Sequence, residues 1–275
     1  MRLFRQLCSD GVPAASPHLR TTSSGRVLLS LLAAFLAIGA PSLAQEPPVD
    51  AVKRIAENGS RFEEERGRYT YRQSFDFYEL GKTGAQLGSY REVRDVNFTT
   101  EGERTEEFVK GPTHRLKRLV MSEEDFRDLR EVQPFVLTND TAWRYELTYR
   151  GRETIGGRDC FVYLIEPRQI LQGQRMFDGQ LWVDQENLQV VRAAGQPVPQ
   201  HHSTSGSNLF ASFTTDYALV DGEFLFPIRT YADDYLPFPS GVQHVRYEIR
   251  FENYRRFSAD ATIRFRSTEI ADPTN

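Results

Sequence analysis

From Tyr69 to Tyr78 the chain alternates, with Tyr69, Tyr71, Phe75 and Phe77 on one face and Thr70, Arg72, Ser74 and Asp76 on the other. A period of two points successive side chains to opposite sides, so this stretch is predicted to be a half-buried strand. The same alternation recurs in Trp143, Tyr145, Leu147 and Tyr149, set against Arg144, Glu146, Thr148 and Arg150. It returns in Val245, Tyr247, Ile249 and Phe251, set against Arg246, Glu248 and Arg250. Further strands are expected at 158–166, 179–183, 189–193, 209–220 and 223–231, with turns at Gly156-Gly157, Asp184 to Asn187 and Asp221-Gly222. Weaker, polar strands are expected at 90–98 and 103–110, and Ile263 and Phe265 suggest a last one. The segment Gly195 to Ser207, rich in Pro, Gly, Ser and His, reads as a loop insertion.

A helical period appears only twice. Val49, Val52, Ile55, Ala56 and Phe62 predict a first helix from about Asp50 to Arg66, with Asn58-Gly59 as the point where it could break. Ser122 followed by Asp125 resembles a capping box and opens a second helix that runs to about Val132 and is ended by Pro134. Many short strands, tight turns and two helices without a βαβ rhythm give a mainly β (α+β) class, one large antiparallel sheet covering one or two helices.

The N-terminus belongs to targeting rather than fold. Arg2, Arg5, Arg20 and Arg26 precede a 14-residue run, Val27 to Ala40, and the small residues Ser42 and Ala44 follow it. That order is the one of a secretory signal peptide, and a bilayer span needs roughly 20 apolar residues. Cleavage is expected after Ala44, which leaves 45–275 as one domain; retention of the segment as an anchor is the alternative. No cysteine follows the run to carry a lipid. The whole chain has 34 basic and 38 acidic residues; the first 44 hold four arginines and Asp10, so 30 and 37 remain, a charge of −7. An acidic chain offers no electrostatic reason to expect nucleic acid. Cys8 leaves with the signal, so Cys160 is unpaired and reads as a buried strand residue. A bacterial envelope compartment fits a secreted domain without paired cysteines.

Chemistry-bearing patterns are sparse. There is no GxSxG, HExxH, Walker or dinucleotide motif, and Ser205-Gly206-Ser207 has no positioned base. His201-His202 lacks a third ligand at metal spacing, so no metal or cofactor is expected. A secreted hydrolase built around Asp233, Asp234 and His244 is the weaker alternative. The salient content is aromatic: 19 Phe, 12 Tyr and 2 Trp. Tyr71, Phe75, Trp143, Tyr145, Tyr163, Trp182, Phe213, Tyr247 and Phe251 fall on apolar strand faces, either as a plain core or as the wall of a ligand cavity. Thirty of the 34 basic residues are arginine, a side chain suited both to ion pairs with neighbouring carboxylates and to anionic head groups.

The strand RYTYRQSFDFYEL, the hairpin GQLWVDQENLQVVR and the run DGEFLFPIRTYADDYL together resemble the LolA/LolB-like lipoprotein-carrier superfamily. Leu181-Trp182-Val183-Asp184, leading through Asn187 to Val190-Val191-Arg192, is similar to the family's strand–turn–strand pattern, and Gly222 to Pro227 to its strand entry. The resemblance spans Val49 to Phe265 and implies an incomplete antiparallel β-barrel with helices on its open side. It also implies non-enzymatic binding of lipid or lipoprotein acyl chains in the periplasm, in outer-membrane lipoprotein sorting, or an envelope scaffold or stress sensor with a protein partner. It carries over no individual binding residue.

Overall fold

In the computed structural model, residues 46–99, 102–170, 174–199, 211–238 and 241–257 are described. Helix α1 (Ala51–Arg66) leads into β1 (Tyr69–Leu80), β2 (Gln86–Phe98) and β3 (Arg104–His114). Helix α2 (Glu123–Glu131) and a 3₁₀ turn (Ala142–Arg144) follow. Seven strands complete the chain: β4 (Tyr145–Ile155), β5 (Arg158–Pro167), β6 (Met176–Asp184), β7 (Val190–Val198), β8 (Phe213–Val220), β9 (Phe224–Phe238) and β10 (Gly241–Arg256). The signal segment, His201-His202, Ser205 to Ser207 and the last expected strand at Ile263 and Phe265 lie outside the described residues.

All ten strands join one antiparallel sheet in the order β3-β2-β1-β10-β9-β8-β7-β6-β5-β4. The order explains the shape. Strands β1 to β3 step outward in one direction, and β4 to β10 step back to meet β1, so β3 and β4 form the two edges. The segment that joins them, with α2 in its middle, must cross from one edge to the other. The sheet therefore curves without closing: it is a half-barrel whose open side carries helices. No described helix is long and apolar enough to cross a membrane.

Helix α1 has the expected span and runs unbroken through Asn58-Gly59, the point where it could break. Gly59 is a packing residue: a Cβ there would stand 1.9 Å from the Leu137 carbonyl oxygen. Asn58 Nδ2 donates to the carbonyls of Asn187 (2.8 Å) and Leu188 (3.1 Å), which ties the helix to the β6–β7 turn. The second helix has the expected capping box, with Asp125 N–H donating to Ser122 Oγ and Ser122 N–H returning the bond to Asp125.

Several strand limits differ from the sequence pattern: β9 runs on past 231 to Phe238, β8 starts only at Phe213, and two further differences concern Arg144 and Gly195. Trp143 and Arg144 leave the alternation for the 3₁₀ turn, because Thr138 N–H donates to Thr141 Oγ1 and Ala142 N–H to Thr138 O, which closes a local turn. Gly195 is not the start of a loop, since β7 continues to Val198. It faces Gly179 across the β6–β7 pair, where a Cβ on either residue would fall 2.2 Å from a carbonyl oxygen.

Candidate functional site

Under the α2 crossover lies a cleft of about 790 Å³. The end of α1, the neighbouring ends of β2 and β3, the segment from α2 to β4 and the start of β6 all line it. Its lining is mixed: Val132, Phe135, Met176 and Phe177 form a buried apolar part that half-buried Phe98 joins, and charged side chains make up much of the rest. Phe135 stacks on Phe177 at 4.6 Å between centroids and meets the Tyr145 ring edge-on at 5.5 Å. The Tyr145 hydroxyl accepts from Phe177 N–H at 3.3 Å, and burial pushes its phenol up.

Around this apolar base stand five arginines, Arg66, Arg104, Arg130, Arg144 and Arg175, against Glu63 and Glu106. Arg104 is neutralised by Glu106 at 2.8 Å and also donates to Tyr71 Oη and Gln73 Oε1. Burial opposes the charge on Glu106, but Arg104 and Arg94 outweigh it and hold the carboxyl below its ordinary range. Arg175 is almost fully buried and pairs with Asp128 at 2.7 Å. The guanidinium of Arg66 lies over the Phe62 and Phe98 rings, and that of Arg144 over Trp143.

Of the nine aromatic residues singled out by sequence, the structure places Tyr145 in the cleft. Phe75 and Tyr247 border a void of about 10 Å³, no larger than a water, so the rings there are packed against one another. Phe213 touches Phe177 from behind, and Tyr71 and Phe251 pack together at 6.1 Å. Tyr163 and Trp182 are buried in the core, with Trp182 Nε1 donating to Glu153 at 2.7 Å. Trp143 is 68% exposed. Most of these hydroxyls find protein partners instead of a wet cavity: Gln133 Nε2 donates to Tyr247 Oη at 2.7 Å, and Arg104 to Tyr71 Oη.

The acidic dipeptide is split by the pleat. Asp233 is exposed on the outer face, where it bonds His244 Nε2 (2.5 Å), Arg246 and Tyr231. Burial opposes its charge, but those hydrogen bonds hold its carboxyl below the ordinary range. Asp234, one residue on, instead accepts from Ser212 N–H. No described group of three or more His, Cys, Asp and Glu side chains could hold a metal. Cys160 is buried, and burial pushes its thiol up to about 11.

Of the cleft arginines the sequence pattern singles out Arg144, as a strand-face residue suited to an anionic head group, and misses Arg66, Arg104, Arg130 and Arg175. The available signal was positional: both helices end in a basic last turn, Arg66 in α1 and Arg130 in α2.

No family model matches the chain, and no curated protein matches it. Among solved structures it is similar to a DUF1329 family protein from Desulfovibrio piger, at 13% identity and TM-score 0.42, over 78% of this chain and 96% of that one. It is also similar to a LolA superfamily protein from Nitrosomonas europaea, at 14% identity and TM-score 0.32, over 78% and 95%. A third is an outer-membrane lipoprotein-sorting protein domain from Vibrio parahaemolyticus, at 9% identity and TM-score 0.34, over 73% and 92%. At these identities and TM-scores the similarity carries no argument about ligand or partner, and the fold rests on the sheet order itself.

Proposed function

We propose that the chain is an exported, non-enzymatic binding protein that takes the acyl chains of a lipid or lipoprotein into the cleft under the α2 crossover. One observation carries this reading: a cleft of about 790 Å³ has a buried lining of Val132, Phe135, Met176 and Phe177 and lies on the open side of an unclosed sheet. Apolar lining favours a hydrocarbon chain at roughly 25 cal/mol per Å² removed from water, without any chemical step or cofactor. The crossover reaches from edge to edge, so its displacement opens the site without breaking a strand pair. Export rests on the charged, apolar and small-residue order of the first 44 residues. The sequence resemblance to lipoprotein carriers supports outer-membrane lipoprotein sorting as the process served. Native mass spectrometry of the protein released from periplasm is the test, with a co-purifying acyl lipid as the expected outcome. Protein that is always ligand-free and takes up no neutral apolar dye overturns the reading.

A second reading is an envelope protein partner that adds a strand to the sheet. It is favoured by the edge strand β3, which ends the sheet order and exposes Phe108 and Val109. A partner retained by the wild type and lost on Val109→Pro would support it.

A further inference from the structure

We infer that the cleft is selective for an amphiphile with an anionic, phosphate-type head, held by Arg66, Arg130 and Arg144 above the apolar lining. The inference rests on the reading of the cleft as an acyl-chain site and adds the chemistry of the head. Three observations lead to it.

The first is local charge. The chain as a whole is acidic, yet this cleft gathers five arginines against two glutamates. Two of the five are already matched, Arg104 by Glu106 and Arg175 by Asp128. Arg66 is half-buried and reaches the exposed Glu63 only at 3.9 Å, beyond hydrogen-bond distance, so the pair contributes little. Among the described residues Arg130 and Arg144 have no carboxylate partner.

The second is the state of the side chains. The Nε atoms of Arg66 and Arg144 are buried and have no hydrogen-bond partner among the described residues. An N–H buried without an acceptor works against folding, and a native protein seldom tolerates one without a use for it. Here two occur on the same cleft. The last-turn position of Arg66 and Arg130 complements the helix dipole, which accounts for the residue type but not for the buried Nε.

The third is preorganisation. Arg66 is held over two rings at 5.9 Å each and Arg144 over Trp143 at 5.2 Å. These cation–π contacts restrict the guanidinium groups before a ligand arrives, so less freedom is lost on binding, and a planar fork suits phosphate oxygens. Phe98 carries both functions, since its ring lines the cleft and lies under Arg66.

The test is calorimetric binding of three probes to the signal-free chain: dodecyl phosphate below its micellar concentration, dodecanol, and inorganic phosphate. The wild type is expected to bind dodecyl phosphate about tenfold or more tighter than dodecanol, and the double variant R66M/R144M to lose that preference while still binding dodecanol. Equal wild-type affinity for the two chains, or an unchanged preference in the variant, overturns the head-group inference and leaves the acyl-chain reading intact. Failure of both chains to bind overturns the acyl-chain reading itself. Inorganic phosphate binding as tightly as dodecyl phosphate supports the anion site and overturns the lipid source. Should R66M/R144M not fold, R144M alone carries the test: its preference must fall about threefold or more, and an unchanged value overturns the assignment.

Discussion

Gly88 faces Glu79 across the β1–β2 pair, and the Glu79 carboxylate occupies the space that a side chain at position 88 would need. A Cβ on Gly88 would stand 2.2 Å from Glu79 Oε2 and 2.8 Å from the Arg115 carbonyl oxygen. Glu79 is fully buried and accepts from three successive backbone N–H groups, those of Lys117, Arg118 and Leu119, each at 2.7 Å. Those amides begin the crossover, so one carboxylate anchors the segment that covers the open side of the half-barrel.

Gly88→Ala should therefore displace the carboxylate and cost about 2–4 kcal/mol, and Glu79→Gln, which turns an amide N–H₂ toward amide donors, a similar amount. Denaturant unfolding of both variants and of the pair checks this. Strong non-additivity is expected, because each substitution disturbs the same contact. A G88A protein as stable as the wild type would contradict the packing.

Gly59→Ala tests sign against propensity. Alanine in the middle of a helix ordinarily stabilises by about 1 kcal/mol. Here the new Cβ would meet Leu137 O at 1.9 Å, so α1 must move away from the chain it packs on, and the variant should lose about 2 kcal/mol or more. Thermal unfolding gives the direction directly.

How much of this was legible in the sequence depends on the length scale. The period of two located β1 and β10 because a strand with one buried face must repeat its apolar residues every second position. It failed at Trp143 and Arg144, where short-range bonds between Thr138 and Thr141 fix a turn that the apolar pattern does not register. That failure had a functional consequence: it is the turn that takes Arg144 off a strand face and into the cleft. Gly59, Gly179 and Gly195 fall at a helix break or at a strand or loop boundary in the sequence pattern, and Gly88 just before an expected strand. They are instead places where two backbones, or a backbone and a carboxylate, come close, and sequence spacing holds no information on such long-range meetings. Three of the cleft arginines sit on separate elements for the same reason.

Replacing Asp233, Asp234 and His244 with alanine should leave amphiphile binding unchanged, since none of them lines the cleft. A pH effect is expected from Asp233. Its carboxyl is held below the ordinary range in the folded chain, so its contribution to stability is complete above the unfolded value of about 3.9 and is lost as pH falls through the folded one. Asp233→Asn should lower the neutral plateau, leave its slope unchanged and flatten the acid limb below about pH 4, so that the two curves converge in acid. A measured hydrolytic turnover lost in these variants would favour the enzyme reading instead.

Cys160 should be inert to a thiol reagent at pH 7.5 until the chain unfolds, because its thiol is buried and pushed up to about 11. The linkage has the opposite sense from that of Asp233. Unfolded chains lose the thiol proton near about pH 8.5, folded ones only near 11, so this group's contribution is full below the first value and declines as pH rises toward the second. Cys160→Ser should reduce the alkaline slope between those limits, and rapid labelling of the native protein at pH 7.5 would contradict the burial.

Phe98 offers a way to separate the apolar and the charged halves of the cleft. Its ring is half-buried at the end of β2, lines the cleft and supports the Arg66 guanidinium. Phe98→Leu keeps apolar area but removes the π face, whereas Phe98→Ser removes both. The leucine variant should bind dodecanol nearly as the wild type does and lose part of its preference for dodecyl phosphate. The serine variant should weaken both ligands, by about tenfold for dodecanol, in keeping with the loss of one buried aromatic contact. Because Phe98 is only half-buried, neither change should cost more than about 1–2 kcal/mol of folding stability, so a difference in binding reads out the site and not the fold. Identical binding by both variants and the wild type would mean that the ligand does not enter beneath Arg66.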